Sequence, residues 1–254
     1  VVKVGTSTLA YPGYRMNIRR IEKLVKILSD IRNSGTEVLL VSSGAIAMGI
    51  GKLGLQKRPS DLASKQACAA IGQCELLYSY DKLFSEYNHT VAQVLFTGDD
   101  LASNDRRENF KNTIAKLLKF GTIPVLNEND TVSTTEITSI GDNDTLAALV
   151  SETADADLLI LLSDIDGLYT ADPKKDKNAT IIHHVATINK HVRSLAGAAG
   201  SDQGTGGMAT KVKAAEICLK DNIHMAIANG TDPAILYDIL AGKEAGTLFS
   251  SDKQ

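Results

Sequence analysis

The chain is predicted to be an α/β protein built on a mainly parallel sheet with helices on both faces. Short apolar runs alternate with stretches of helical periodicity along all 254 residues. The runs are apolar throughout rather than at every second position, as in DLLILL at 157–162, which fits strands covered on both sides. Lys3, Ser43, Asn127, Asp164 and Asn229 stand at or near the carboxyl ends of these runs. In open parallel sheets ligands bind at that rim.

VVKV at the start is the first strand and leads into a glycine turn at Gly5. Ile18, Ile21, Leu24, Val25, Leu28 and Ile31 recur at helical spacing, with Asn17 to cap the helix and Gly35 to end it. EVLLVS at 37–42 is the next strand, and VSSGA at 41–45 passes from its end into a helix. Ser43 and Gly44 are therefore expected to turn backbone N–H groups outward, a seat for an anion. VAQVLF at 91–96, TIPVL at 122–126, DLLILL at 157–162 and HMAIA at 224–228 are further strands. Helices are expected near 61–86, 103–120, 143–153, 207–221 and 232–241, and ADPKKDKNAT at 171–180 is a charged surface excursion.

Composition bounds the function. With 43% hydrophobic residues the chain can bury a full core, and a net charge of −3 with both signs interspersed gives no basic patch for nucleic acid. No apolar run approaches the roughly 20 residues that span a bilayer, so no membrane partner is expected. Cys68, Cys74 and Cys218 are odd in number and lack metal-ligand spacing. They read as reduced side chains of a cytoplasmic protein.

Two lysines carry the chemical signal. Lys3 lies between Val2 and Val4, where an unpaired ammonium would be costly, so a charged partner or a phosphate is expected. Lys211 closes GTGGMATK at 204–211, three glycines and two threonines before an amphipathic helix; a solvated helical lysine is its plainer alternative. NENDTVS at 127–133 and GDNDT at 141–145 place Asn127, Asp130, Asp142, Asn143 and Asp144 on the same rim, where carboxylates would hold the lysines in position. GIGKLG at 49–54 fits a dinucleotide pattern but begins too far past its strand, and no Walker A loop is present. SDIDG at 163–167 starts like a calcium loop, yet Leu168 stands where the next oxygen ligand belongs.

VVKVGTSTL, VSSGAIAMG, NENDTVS, GDNDT, SDIDGLYTADP and GTGGMATK, in this order, resemble the amino acid kinase family. The Asn/Asp segments resemble its branch that phosphorylates the γ-carboxylate of L-glutamate with ATP and Mg²⁺, the first step of proline synthesis. The resemblance implies an open αβα sandwich, with an N-terminal substrate lobe over about 1–160 and a nucleotide lobe over about 161–254. It implies that Lys3 and Lys211 stabilise the transferred phosphoryl group and that Asp144 orients both. Gly5 and Gly44 would supply N–H groups. Ser43, Asp130 and Asn143 would hold glutamate, with Asn127 and Asp142 close by. Ser163 and Asp164 would line the ATP pocket, and Thr205, Gly206, Gly207, Met208, Ala209, Thr210 and Lys211 would wrap the phosphates. It further implies feedback inhibition by proline and a homodimer or homotetramer. Many relatives carry an additional C-terminal domain like those of RNA-modifying enzymes; here a single kinase domain over 1–254 is expected. The alternatives are an acetylglutamate, aspartate, uridylate or isopentenyl phosphate kinase of the same fold, and a small-molecule binder without catalysis. An interaction protein using the surface of 61–118, with Arg106 and Arg107, is a third.

Overall fold

The structure, a computed structural model, describes residues 1–133, 143–198 and 207–251. Its elements in chain order are β1 (Val2–Val4), α1 (Thr6–Leu9), α2 (Ile18–Asn33), β2 (Leu40–Ser42), α3 (Ala45–Leu53), α4 (Leu62–Ser85), β3 (Val91–Phe96), α5 (Gly98–Ala102), α6 (Asn104–Lys119) and β4 (Ile123–Glu128). There follow α7 (Asn143–Thr153), β5 (Leu158–Ser163), β6 (Leu168–Tyr169), β7 (Ile181–Ile182), β8 (His184–Val185), α8 (Lys190–Ala198), α9 (Met208–Lys220), β9 (His224–Asn229), α10 (Ile235–Leu240) and β10 (Thr247–Phe249).

Among the described residues, eight strands form one sheet in the order β3-β4-β2-β1-β5-β9-β10-β8. All pairings are parallel except that of β10 with β9. Alternate side chains feed two cores. Val2, Val4, Leu40, Val125, Ile160 and Leu162 pack with α2 and α4 on one face. Val41, Leu126, Leu159, Leu161, Met225 and Ile227 pack with α6, α7 and α9 on the other. This is the expected α/β sheet covered on both sides.

Local chemistry explains the boundaries. Asn17 caps α2 by accepting from the Arg20 N–H, and Gly35, at φ +97°, turns the chain after it. Residues 37–39 of the expected strand lie outside β2, which is shorter than predicted. The 171–180 excursion is the end of a hairpin in which Leu168 pairs with Ile182. GIGKLG belongs to α3 and its cap. Gly49 and Gly51 are there because a Cβ would strike the carbonyls of Cys68 and Tyr14 at 1.9 and 2.2 Å, not to bind a dinucleotide. Arg106 and Arg107, considered for an interaction surface, are engaged within the chain by Asp100 and Glu152.

β1 lies near the centre: the chain steps through β2 to the edge strand β3, inserts β4 between them, and then crosses to β5 on the other side of β1. The register aligns the carboxyl ends there: Leu126 lies opposite Val41, Lys3 opposite both Val41 and Leu161, and Leu161 opposite Ile227. Residues just beyond these positions share one rim, at the reversal of strand order where parallel sheets bind ligands.

Candidate active site

Lys3 alternates with Val2 and Val4 on β1, so its side chain runs into the opposite layer from theirs, toward α7 and α9. There its Nζ lies 2.6 Å from Asp144 Oδ1, in the first turn of α7. Lys211, in the first turn of α9, reaches Asp144 Oδ2 at 2.8 Å, and the Thr210 hydroxyl donates to the same oxygen at 3.2 Å. Side-chain exposure is 10% for Lys3, 5% for Lys211 and 1% for Asp144. The solvated reading of Lys211 is therefore overturned, and the partner expected for Lys3 is Asp144. Burial works to raise the Asp144 pKa, but the two ammonium groups outweigh it and hold the carboxyl at about 2. One carboxylate thus bonds two lysines at the head of two helices, whose N-termini also favour anions.

A second polar group lies beside it. Asn143, preceding Asp144 on α7, donates from Nδ2 to Ser43 Oγ at 2.6 Å and faces Asn127 Oδ1 at 3.5 Å. Asn127 Nδ2 in turn donates to Gln73 Oε1 at 2.8 Å. Ser43 follows β2, and Gly44 caps α3 at φ +103°, a left-handed conformation that favours glycine. The Ser43 backbone N–H is bonded to Val4 O, which corrects the expectation that it turns outward. Ser43 offers the site a hydroxyl, while Gly44 keeps its place at the helix start.

Asp130 is buried just after β4. Glu128 is buried there too and is bonded by the Ser133 hydroxyl; burial raises its pKa. On the other half of the rim, Ser163 ends β5 and donates to Asp164 at 3.2 Å, and Asp164 is exposed. Gly207 precedes α9, and Met208, Ala209, Thr210 and Lys211 form its first turn rather than a loop. Gly5 links β1 to α1, with its carbonyl accepting from the Thr8 N–H. Asp142, Thr205 and Gly206 lie outside the described residues.

Gln73 is the site residue that sequence reasoning missed. It occupies an ordinary helical stretch, but its spacing of four from Ala69 and three from Leu76 puts it on the buried face of α4. A glutamine at a core position is a polar group that needs a partner.

The geometry is that of a phosphotransfer centre: two cations braced by one carboxylate at the switch point of a parallel sheet, beside a cluster of amides and hydroxyls. The sequence profile described as the amino acid kinase family matches residues 1–229, and the chain belongs to that family. It is 50% identical to the glutamate 5-kinase of Clostridium perfringens over 100% of its own length and 95% of that protein. It is 51% identical to the glutamate 5-kinase of Clostridium acetobutylicum over 98% of its length and 93% of that protein. Among solved structures, isopentenyl phosphate kinase of T. acidophilum matches with a TM-score of 0.65 at 17% identity, covering 98% of each chain. The UMP kinase of Bacillus anthracis matches with a TM-score of 0.65 at 17% identity, covering 99% of this chain and 95% of that one. These two share the fold.

Proposed function

We propose that this protein transfers the γ-phosphoryl group of ATP to the γ-carboxylate of L-glutamate, giving γ-glutamyl phosphate and ADP, the first step of proline synthesis. The observation that carries the mechanism is the buried Lys3–Asp144–Lys211 group. The relatives sharing half of the sequence along its full length support the choice of acceptor.

A carboxylate with a pKa of about 4.3 is already ionised at neutral pH, so the attacking oxygen needs no base. It forms a bond to the γ-phosphorus as the bond to the bridging oxygen breaks, and that electron pair leaves on the ADP β-phosphate. Charge spreads over the phosphoryl oxygens during transfer. Lys3 and Lys211 stabilise it from two sides, and Asp144 keeps both ammonium groups aligned. Ser43, Asn127, Asp130, Asp142 and Asn143 hold glutamate over the β1–β4 half of the rim. Gly5 and Gly44 offer N–H groups to the phosphates. Ser163, Asp164 and the segment from Thr205 through the first turn of α9 hold ATP.

Mg²⁺, when bound with ATP, would neutralise part of the phosphate charge. Among the described residues no three metal-ligating side chains converge. Proline, which shares the α-amino-acid backbone of glutamate, would compete at Asp130 and Asn127. The protein would act in the cytoplasm as a homodimer or homotetramer.

The test is ATP turnover with L-glutamate, acetylglutamate, aspartate and UMP, with hydroxylamine trapping any acyl phosphate. Glutamate-dependent hydroxamate that disappears in Lys3→Ala is the expected result. Turnover with another acceptor would move the substrate, and turnover with none would leave a binding protein.

A further inference from the structure

α4 lies against the start of α3 with backbone touching backbone. A Cβ on Gly72 would stand 1.7 Å from Ala45 O and 2.4 Å from Gly49 N, and one on Gly49 would stand 1.9 Å from Cys68 O. This contact sets the height and rotation of α4, and it delivers the residue after Gly72 to the substrate side of the sheet. That residue, Gln73, is 8% exposed, and its Oε1 accepts the 2.8 Å bond from Asn127 Nδ2.

The consequence is directional. A side-chain amide has one donor end and one acceptor end. With Nδ2 committed to Gln73, Asn127 presents Oδ1 to Asn143 Nδ2 at 3.5 Å, and that nitrogen also donates to Ser43 Oγ at 2.6 Å. The Asn143 amide is thereby turned so that its Oδ1 is the remaining end. That oxygen is buried and has no hydrogen-bond partner among the described residues. A buried acceptor left unmade is costly, and a docking N–H donor recovers that cost. An α-ammonium carries three such donors.

We propose that Gln73 is a positioning residue for the amino-acid substrate. It fixes the direction of the Asn127 amide and, through it, that of Asn143, so that Asn143 Oδ1 is held ready to accept from the substrate α-ammonium. This rests on the reading of the site as that of a glutamate-phosphorylating enzyme, and deepens it. Gln73 reaches neither Lys3 nor Lys211 by any bond in this chain of amides, so its effect falls on amino-acid binding and not on phosphoryl transfer.

The experiment is steady-state kinetics on the full chain, varying glutamate and ATP separately. Gln73→Met keeps the length of the side chain but has no oxygen to accept from Asn127. It is expected to raise the glutamate KM about tenfold, equivalent to about 1.4 kcal/mol, with kcat and the ATP KM within about twofold of native. Gln73→Glu keeps the acceptor and is expected to restore the glutamate KM to within about threefold. In an Asn127→Ala background, Gln73→Met is expected to add nothing, because the two act through one contact. A native glutamate KM in Gln73→Met would overturn the relay. So would a joint change in kcat and both KM values that Gln73→Glu does not rescue, or additive effects in the double variant. Should Gln73→Met not fold, Gln73→Ala serves the same comparison, since Gln73 borders an open cleft of about 660 Å³. If the native chain turns over glutamate and the Gln73 variants match it, only the relay falls. If the native chain does not use glutamate, the reading beneath it falls as well.

Discussion

Asp144→Asn removes the carboxylate that two buried ammonium groups share. Its carboxyl is held at about 2 against an ordinary 3.8. At about 1.4 kcal/mol per pKa unit, this corresponds to roughly 2–3 kcal/mol of stability at neutral pH. The sign follows from the depression: this contribution is complete above pH 4 and is lost as pH falls toward 2. The variant loses more than that, because Lys3 and Lys211 both lose the carboxylate they share. Breaking a buried pair in this way costs about 3–5 kcal/mol. For a domain of this size that lowers Tm by about 10 °C. Urea unfolding and thermal melts from pH 7 down to pH 2 measure both parts. The native protein should lose stability between pH 4 and 2, and the variant should start lower and show a flatter acid limb. Its kcat should fall by about 10² or more, as expected when preorganised charge is lost. A variant as stable as the native protein, with an unchanged acid limb, would refute the bracing role.

Lys3→Met is expected to leave unfolding free energy within about 1 kcal/mol of native while reducing kcat by at least about 10³, measured by urea melts and ATP turnover. Asp130→Ala should raise the glutamate KM far more than the ATP KM, by about tenfold or more; an equal loss of both would remove Asp130 from the glutamate site. Gly49→Ala should lower stability by about 3 kcal/mol, since its Cβ would stand 1.9 Å from the Cys68 carbonyl. Gly197→Ala, a helical position with nothing among the described residues within 4 Å of the added Cβ, should instead stabilise by about 0.5–1 kcal/mol in the same melts.

The sheet was legible because its central strands are buried on both faces and need no alternation. The predicted runs at 157–162 and 224–228 reappear to within a residue at each end. The short elements α1, α5, α8, β6, β7, β8 and β10 were not foreseen, since two to nine residues are too few to display a period. Within the site, Lys3 announced itself because β-strand geometry puts a charge between two core valines. Lys211 was marked by the glycines and threonines before it, but its burial was not legible, because burial of a helical lysine depends on what packs over it. Gln73 was invisible for a related reason: α4 has apolar residues around much of its circumference, and only the close approach at Gly72 shows which flank meets Asn127. The outward N–H of Ser43 failed as an expectation because strand pairing claimed it for Val4. Register is a tertiary fact that a local pattern does not contain.

The sign of the charge left over in the site separates its catalytic from its structural work. A group selected for stability alone would be neutral, and one lysine opposite Asp144 would achieve that. The second lysine brings the triad to two cations for one carboxylate. Deleting Asp144 and deleting Lys3 are therefore opposite perturbations of similar size. The first removes the carboxylate that both lysines bond, and the second keeps the Lys211–Asp144 pair with methionine filling the layer between β1 and α7. If stability falls in the first and holds in the second while activity falls in both, the excess charge belongs to an anion that arrives from outside. Two ammonium groups fixed at 2.6 and 2.8 Å from opposite oxygens of one carboxylate are spaced by that carboxylate. The arriving phosphoryl group then meets cations already in place, which is how electrostatic preorganisation lowers a barrier without reorganisation at the moment of transfer.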